Sequence, residues 1–115
     1  MGIRRIRTNE RMSQVVVHGD TIYLAGQVAD DAAADIRGQT RQVLGKIDGL
    51  LSEAASDKTR VLAANIWLTT MADFADMNKE WDAWVPTGSA PVRATVQAAL
   101  FTPAHKIEIA IIAAK

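Results

Sequence analysis

The sequence predicts an α+β fold in the order ββαβαββ, a mixed sheet carrying two helices on one face. Three observations carry this: strand-like apolar runs occur in five segments, apolar residues recur at helical spacing in two others, and turn-forming residues separate the segments. The chain has 115 residues, of which 49% are hydrophobic, 23% charged and 5% aromatic, and its 13 basic and 13 acidic side chains balance to a net charge of zero. That composition belongs to one globular domain spanning residues 1–115, able to bury roughly two-thirds of its unfolded surface without metals or disulfides. No repeat or linker argues for a second domain.

The first two strands are expected at Gln14 to His18 and Thr21 to Gly26, an antiparallel hairpin turned at His18-Gly19-Asp20. From about Asp35 the period becomes helical, with Ile36, Thr40, Val43, Leu44, Ile47, Leu50, Leu51 and Ala54 on one face. Gly38, Gly45 and Gly49 form a stripe opposite that face, each costing about 1 kcal/mol relative to alanine. They are either tolerated surface positions or places where another backbone comes close. Ser56-Asp57-Lys58 ends the helix. Val61 to Thr69 alternates again and reads as a strand, and Thr70 with Asp73 forms a capping pair for a second helix through Phe74, Met77, Trp81, Trp84 and Val85. The loop Pro86 to Pro91 leads to a strand of about Val92 to Ala98, and a last strand covers about Lys106 to Ala113.

Right-handed crossovers place both helices on one side of such a sheet, yet Ile107, Ile109 and Ile111 alternate with Glu108, Ala110 and Ile112, making the last strand apolar on both faces. An uncovered apolar face of that size marks an interface, so a homo-oligomer is expected.

Several chemistries have no carriers. There is no cysteine, and His18 and His105 are the only histidines, read as a turn and a loop residue. The N-terminal cluster Arg4, Arg5, Arg7 and Arg11 lacks the apolar stretch of a signal peptide, and Gly2 is followed by Ile6 where a myristoylation site has Ser or Thr. No apolar run reaches membrane-spanning length, so the expected compartment is the cytoplasm. Zero net charge gives no long-range attraction to nucleic acid or membrane. The carboxylate pairs Asp30/Asp31, Asp73/Asp76 and Glu80/Asp82 read as helix capping or a solvated face, and Trp81 and Trp84 as core.

Three polar residues stand out against apolar surroundings. Arg93 interrupts the strand Val92-Arg93-Ala94-Thr95-Val96 just after the proline loop; it is either an edge arginine snorkelling from the sheet or a planar fork gripping a carboxylate at a subunit seam. Glu108 is the only charged residue between Ile107 and Lys115, and either faces solvent, pairs with a lysine, or orients a water. Asn78 sits amid the Phe74, Met77, Trp81, Val85 stripe, where its amide needs partners from the backbone or from a ligand.

The segments Tyr23-Leu24-Ala25-Gly26-Gln27, Asp73 to Asn78, Ala90-Pro91-Val92-Arg93 and Lys106-Ile107-Glu108-Ile109 occur in an order that resembles the Rid family, the YjgF-like reactive intermediate deaminases, from about Gln14 to Ala114. The stretches Trp81 to Val85 and Val96-Gln97-Ala98 look most like its YoaB-type branch. The resemblance implies a chorismate-mutase-like fold assembled as a homotrimer, with sheets lining a central barrel, helices outside and a ligand cleft at each subunit interface. It implies hydrolysis of 2-imino or enamine acids to 2-oxo acids and ammonia without a cofactor. Arg93 then corresponds to the family arginine that grips the substrate carboxylate, Glu108 to the glutamate that positions water, Asn78 to the cleft asparagine and Gly26 to a glycine contributing its backbone. The family's founding branch has a tyrosine where this chain has Met12, which removes a hydroxyl from the cleft, and a cysteine where it has Thr95, which can still donate and accept a hydrogen bond. The alternative of another class is a non-catalytic protein that binds a 2-oxo acid in the same cleft. An RNA-cleaving activity, which the resemblance also brings, is disfavoured by the zero net charge.

Overall fold

The computed structural model describes residues 2–115, leaving Met1 outside the description. The elements are β1 (Ile3–Thr8), β2 (Ser13–His18), β3 (Thr21–Leu24), α1 (Ile36–Glu53), β4 (Val61–Leu68), α2 (Phe74–Trp84), β5 (Val92–Gln97) and β6 (Ile107–Ala114). The strands form one six-stranded sheet in the order β1-β2-β3-β6-β4-β5. All neighbours are antiparallel except β4 and β5, which run parallel because α2 returns the chain across the sheet between them.

The order is therefore βββαβαββ, one strand more than the periodicity predicts. β1 reads Ile-Arg-Arg-Ile-Arg-Thr, which has no alternating apolar face. It is held by its ladder to β2, with Ile6 opposite Val15 and Thr8 opposite Ser13, and of its side chains only Ile6 packs on the core. Charged residues suit a strand whose outer edge is unpaired.

Alternation on the other strands puts one side chain set on the helical face. Ala64, Ile66 and Leu68 of β4 stand opposite Ile111, Ile109 and Ile107 of β6, and all six are buried with Val15, Val17, Ile22 and Leu24. α1 lays Ile36, Thr40, Val43, Leu44, Ile47, Leu50 and Leu51 onto them, the face its period predicts. Asp35 caps the helix by accepting from Gly38 N–H at 2.8 Å. A Cβ on Gly38 would press on Ala34 at 3.0 Å, whereas one on Gly45 or Gly49 would meet no heavy atom within 4 Å, so no backbone among the described residues approaches the last two. Trp81 and Trp84 of α2 are buried as expected.

Two expectations change, and one buried polar residue comes to light. Thr70 accepts from Ala72 N–H at 3.2 Å and so caps the short 3₁₀ turn Met71–Asp73, while Asp73, at the N-cap of α2, makes no side-chain cap bond. Glu80 is not on a solvated face: it is buried between the helices, accepting from Arg41 at 2.6 Å and Arg37 at 3.5 Å. Gln39 lies at a polar position beside the α1 stripe yet is fully buried. Its amide donates to the carbonyls of Ala32, Ala34 and Ala104 and accepts from Lys106 N–H, fastening the loop before α1 and the loop before β6 to the helix.

The opposite face of the sheet carries no helix. Tyr23, Leu62, Val92 and Val96 are exposed there, and Ala110 and Ile112 are only half-buried. No helix among the described residues is long and apolar enough to cross a membrane.

Candidate functional site

Arg93 stands near the start of the edge strand β5, opposite Ala64 of β4 in a parallel register, so its side chain takes the helical face of the sheet. There it meets α2. Its guanidinium carbon lies 5.6 Å from the Phe74 ring centroid and 5.3 Å from that of Trp81, within cation–π range of both. Its Nη1 donates to Asn78 Oδ1 at 2.7 Å. Phe74, Asn78 and Trp81 stand four and three residues apart, hence on one helical stripe, and α2 thus presents two aromatic faces and one acceptor to a single cation. The remaining guanidinium donors have no partner among the described residues, and Arg93 is exposed.

Thr95 follows Arg93 by two residues on the same face, opposite Ile66. Its hydroxyl is buried and has no hydrogen-bond partner among the described residues. An orphaned hydroxyl beside an arginine with free donors is an arrangement a bound carboxylate would satisfy.

Glu108 stands on β6 opposite Trp67, on the helix-free face. Its side chain folds over Gly26, where a Cβ would fall on the carboxylate, with Cδ only 2.8 Å away. Only a glycine leaves the carboxylate that seat. Gly26 is held in place because the next residue, Gln27, bridges to Ile109 through two backbone bonds of 2.8 and 3.1 Å.

The five predicted site residues therefore fall into two groups. Arg93, Asn78 and Thr95 gather at the β5–α2 edge, and Glu108 and Gly26 gather on the other face. The faces are opposite because the β4 partners of Arg93 and Glu108, Ala64 and Trp67, differ by an odd number of residues. Two strand spacings of about 5 Å and three residues at about 3.3 Å each also separate them. Within one chain they do not converge on a small molecule. Met12 is exposed in the turn before β2, and its backbone carbonyl accepts from Asn9 N–H at 2.9 Å. His18 ends β2 at the hairpin turn, and His105 sits in the loop before β6, bonded to Thr102 and to the Ala29 carbonyl and stacked on Phe101.

The aromatic faces beneath Arg93 are the part of the site that sequence reasoning assigns to the core alone. The spacing of Phe74 and Trp81 about Asn78 is the signal that joins them to it.

A family described as Endoribonuclease L-PSP matches residues 2–115. The chain is 48% identical over 114 residues to the RutC family protein YoaB of Escherichia coli strain K12, covering 99% of each. It superposes on a YjgF-family protein of Neisseria meningitidis with a TM-score of 0.97 at 43% identity, covering 100% of this chain and 96% of that one. It superposes on YyfA of Yersinia pestis, described as of the Rid protein family, with a TM-score of 0.89 at 25% identity, covering 99% and 100%.

Proposed function

This chain belongs to the Rid family, the YjgF, RutC and endoribonuclease L-PSP proteins, and from that premise we propose that it is a hydrolase of reactive 2-imino acids. The products are a 2-oxo acid and ammonium. The observation that carries this reading is the prepared cation: Arg93 is oriented by Asn78, backed by two rings and flanked by the unpartnered hydroxyl of Thr95. A receptor of that form suits a small carboxylate, and the planar fork fixes the plane of the acid and of its conjugated C=N.

In the proposed reaction the substrate carboxylate docks on Arg93 and Thr95. Glu108 accepts a hydrogen bond from a water and directs its oxygen at the iminium carbon. As the C–O bond forms, the C=N electron pair moves onto nitrogen and Glu108 takes the water's proton. Glu108 then passes that proton to the amine, a hydroxyl lone pair forms the carbonyl as the C–N bond breaks and expels ammonia, and the proton shed by the hydroxyl is taken up by the ammonia, which departs as ammonium. A protonated imine is already electrophilic, so positioning and charge supply the acceleration without a cofactor.

The two halves of this machinery lie on opposite faces of one sheet, so the reading requires Arg93 of one copy to meet Glu108 of another. Exposed Val92 and Val96 on the β5 edge, continuous with the helix-free apolar face, suit burial between copies. We assign a homotrimer with an active cleft at each seam, the number three coming from the resemblance, and place its activity in the cytoplasm. Against RNA cleavage stands the charge balance of zero.

The test generates 2-imino acids in situ with an amino-acid oxidase and traps survivors with semicarbazide. The wild-type chain should lower the trapped signal, and both Arg93→Ala and Glu108→Ala should restore it. Equal activity in all three proteins would overturn the reading. Thermal stabilisation by 2-oxobutyrate, lost in Arg93→Ala and unaccompanied by turnover, would instead identify a 2-oxo acid binding protein.

A further inference from the structure

Three departures from ordinary sequence economy converge on one place away from Arg93 and Glu108. Arg7 adopts a left-handed φ of 53°, a strained conformation for a side chain of its size. Regular alternation after Ile6 would turn Arg7 to the helix-free face; instead its Nε reaches across to Glu53 of α1, at 2.9 and 3.1 Å from the two carboxylate oxygens. Gln27 is only 4% exposed, and its Nε2 donates to Gln14 Oε1 and the Ala25 carbonyl, leaving Oε1 without a partner among the described residues. Gly49 weakens α1 at a position where a side chain would meet nothing.

All three line a cleft of about 660 Å³ between α1 and the ends of β1 and β2, a size that accommodates a small ligand. Lys46 lines it too, donating to the Val28 carbonyl and to Asp30, both at 2.9 Å, with a third N–H unassigned. Leu50 supplies an apolar wall. Gln27 bridges to Ile109, whose side chain belongs to the buried helical face, so this cleft is separated by the sheet from the Glu108 seat.

The lining has two cations, Arg7 and Lys46, and two carboxylates, Asp30 and Glu53. A simple anion or cation would meet as much repulsion as attraction. We infer that the cleft binds a free α-amino acid as its zwitterion, the carboxylate taking the free guanidinium donors of Arg7 and the spare N–H of Lys46, the ammonium donating to Gln27 Oε1 and Glu53. The absent side chain of Gly49 leaves room for the ligand's own side chain over Leu50. The site shares no lining residue with the Arg93 and Glu108 groups to which the imine chemistry is assigned.

Calorimetry and NMR titration of the full chain test this with L-alanine, L-serine, L-leucine and L-glutamine, and with isocaproate and isoamylamine, which carry one charge of leucine each. At least one amino acid should bind saturably and perturb Gln27 and Gly49 amides, with each single-charge analogue at least about tenfold weaker. Gly49→Leu should reduce that affinity by about tenfold or more while leaving the melting temperature unchanged or raised, since leucine favours the helix. Arg7→Gly, which relieves the left-handed strain, should weaken carboxylate binding similarly. Imine hydrolysis should be unaffected in Gly49→Leu, and amino-acid binding unaffected in Arg93→Ala. The inference fails if no amino acid binds, if either single-charge analogue binds as tightly, if Gly49→Leu retains full affinity, or if Arg93→Ala abolishes binding.

Discussion

Arg93 Nη1 and Asn78 Oδ1 meet at 2.7 Å across 15 residues of sequence, joining the edge strand β5 to the middle of α2. The bond uses one guanidinium donor and leaves the others without a partner among the described residues. It fixes the plane of a side chain that would otherwise sample many rotamers in solvent, so the cation is ordered before substrate arrives.

Asn78→Ala removes that constraint without emptying the core. Its expected effect is a rise in KM of about tenfold for imine hydrolysis, the low end of what a hydrogen bond to a charged group contributes, with a smaller change in kcat. Phe74→Leu should move KM in the same direction by a few-fold, as an exposed cation–π contact of about 0.5–1 kcal/mol dictates. Steady-state kinetics of the two variants check both; a loss confined to kcat would show that Asn78 acts on the chemical step instead.

Gly26→Ala places a methyl group where the Glu108 carboxylate now rests. Because the obstructed atoms are the far end of a flexible side chain, the fold should survive and the carboxylate should swing away. We expect kcat to fall on the order of a hundredfold, the scale of losing a positioned general base, with an unchanged circular dichroism spectrum. Wild-type turnover in this variant would remove Glu108 from the reaction.

Local pattern made most of this fold legible. The stripe from Ile36 to Leu51 and the alternation of β4 and β6 specify elements because burial acts on one face at a time. β1 was hidden because its ladder needs only backbone, and three arginines among six residues give periodicity nothing to detect. Gln39 was hidden for a related reason: its amide is buried by four partners distributed over Ala32, Ala34, Ala104 and Lys106, which no window of neighbouring residues contains. The site residues were recognisable by type and by resemblance. Their division between two faces was not, since it depends on the register of β4 against both β5 and β6.

Gln39→Leu removes the two amide N–H donors that the Ala32, Ala34 and Ala104 carbonyls share and leaves the Lys106 N–H short of an acceptor. A loss of about 3 kcal/mol is expected, at the level of one or two buried groups left fully unsatisfied and the others relaxing toward water. Urea unfolding measures it. Hydrogen exchange should show faster opening in the loops flanking Ala32 and Ala104 than in β4, whose ladder the amide does not touch.

Glu80 gives the fold a predictable response to acid. The hydrogen bond from Arg41 holds its carboxyl below the ordinary value of 4.5, burial opposes this, and the charges of Arg41 and Arg37 add to the lowering. The folded state therefore binds a proton less readily than the unfolded state, so the contribution of Glu80 to stability is complete above the unfolded carboxylate range and is lost as pH falls through the folded value. Glu80→Gln should lower the melting temperature at neutral pH, and the gap from wild type should stay constant from about pH 6 to 8 and close as the pH falls through the lowered carboxyl range. Added salt should narrow the neutral-pH gap, because both arginines are solvent-exposed and screened. A gap that persists unchanged into acid would mean that the carboxylate acts through its shape and neutral hydrogen bonds, and the ion pairs with α1 would carry none of the pH dependence.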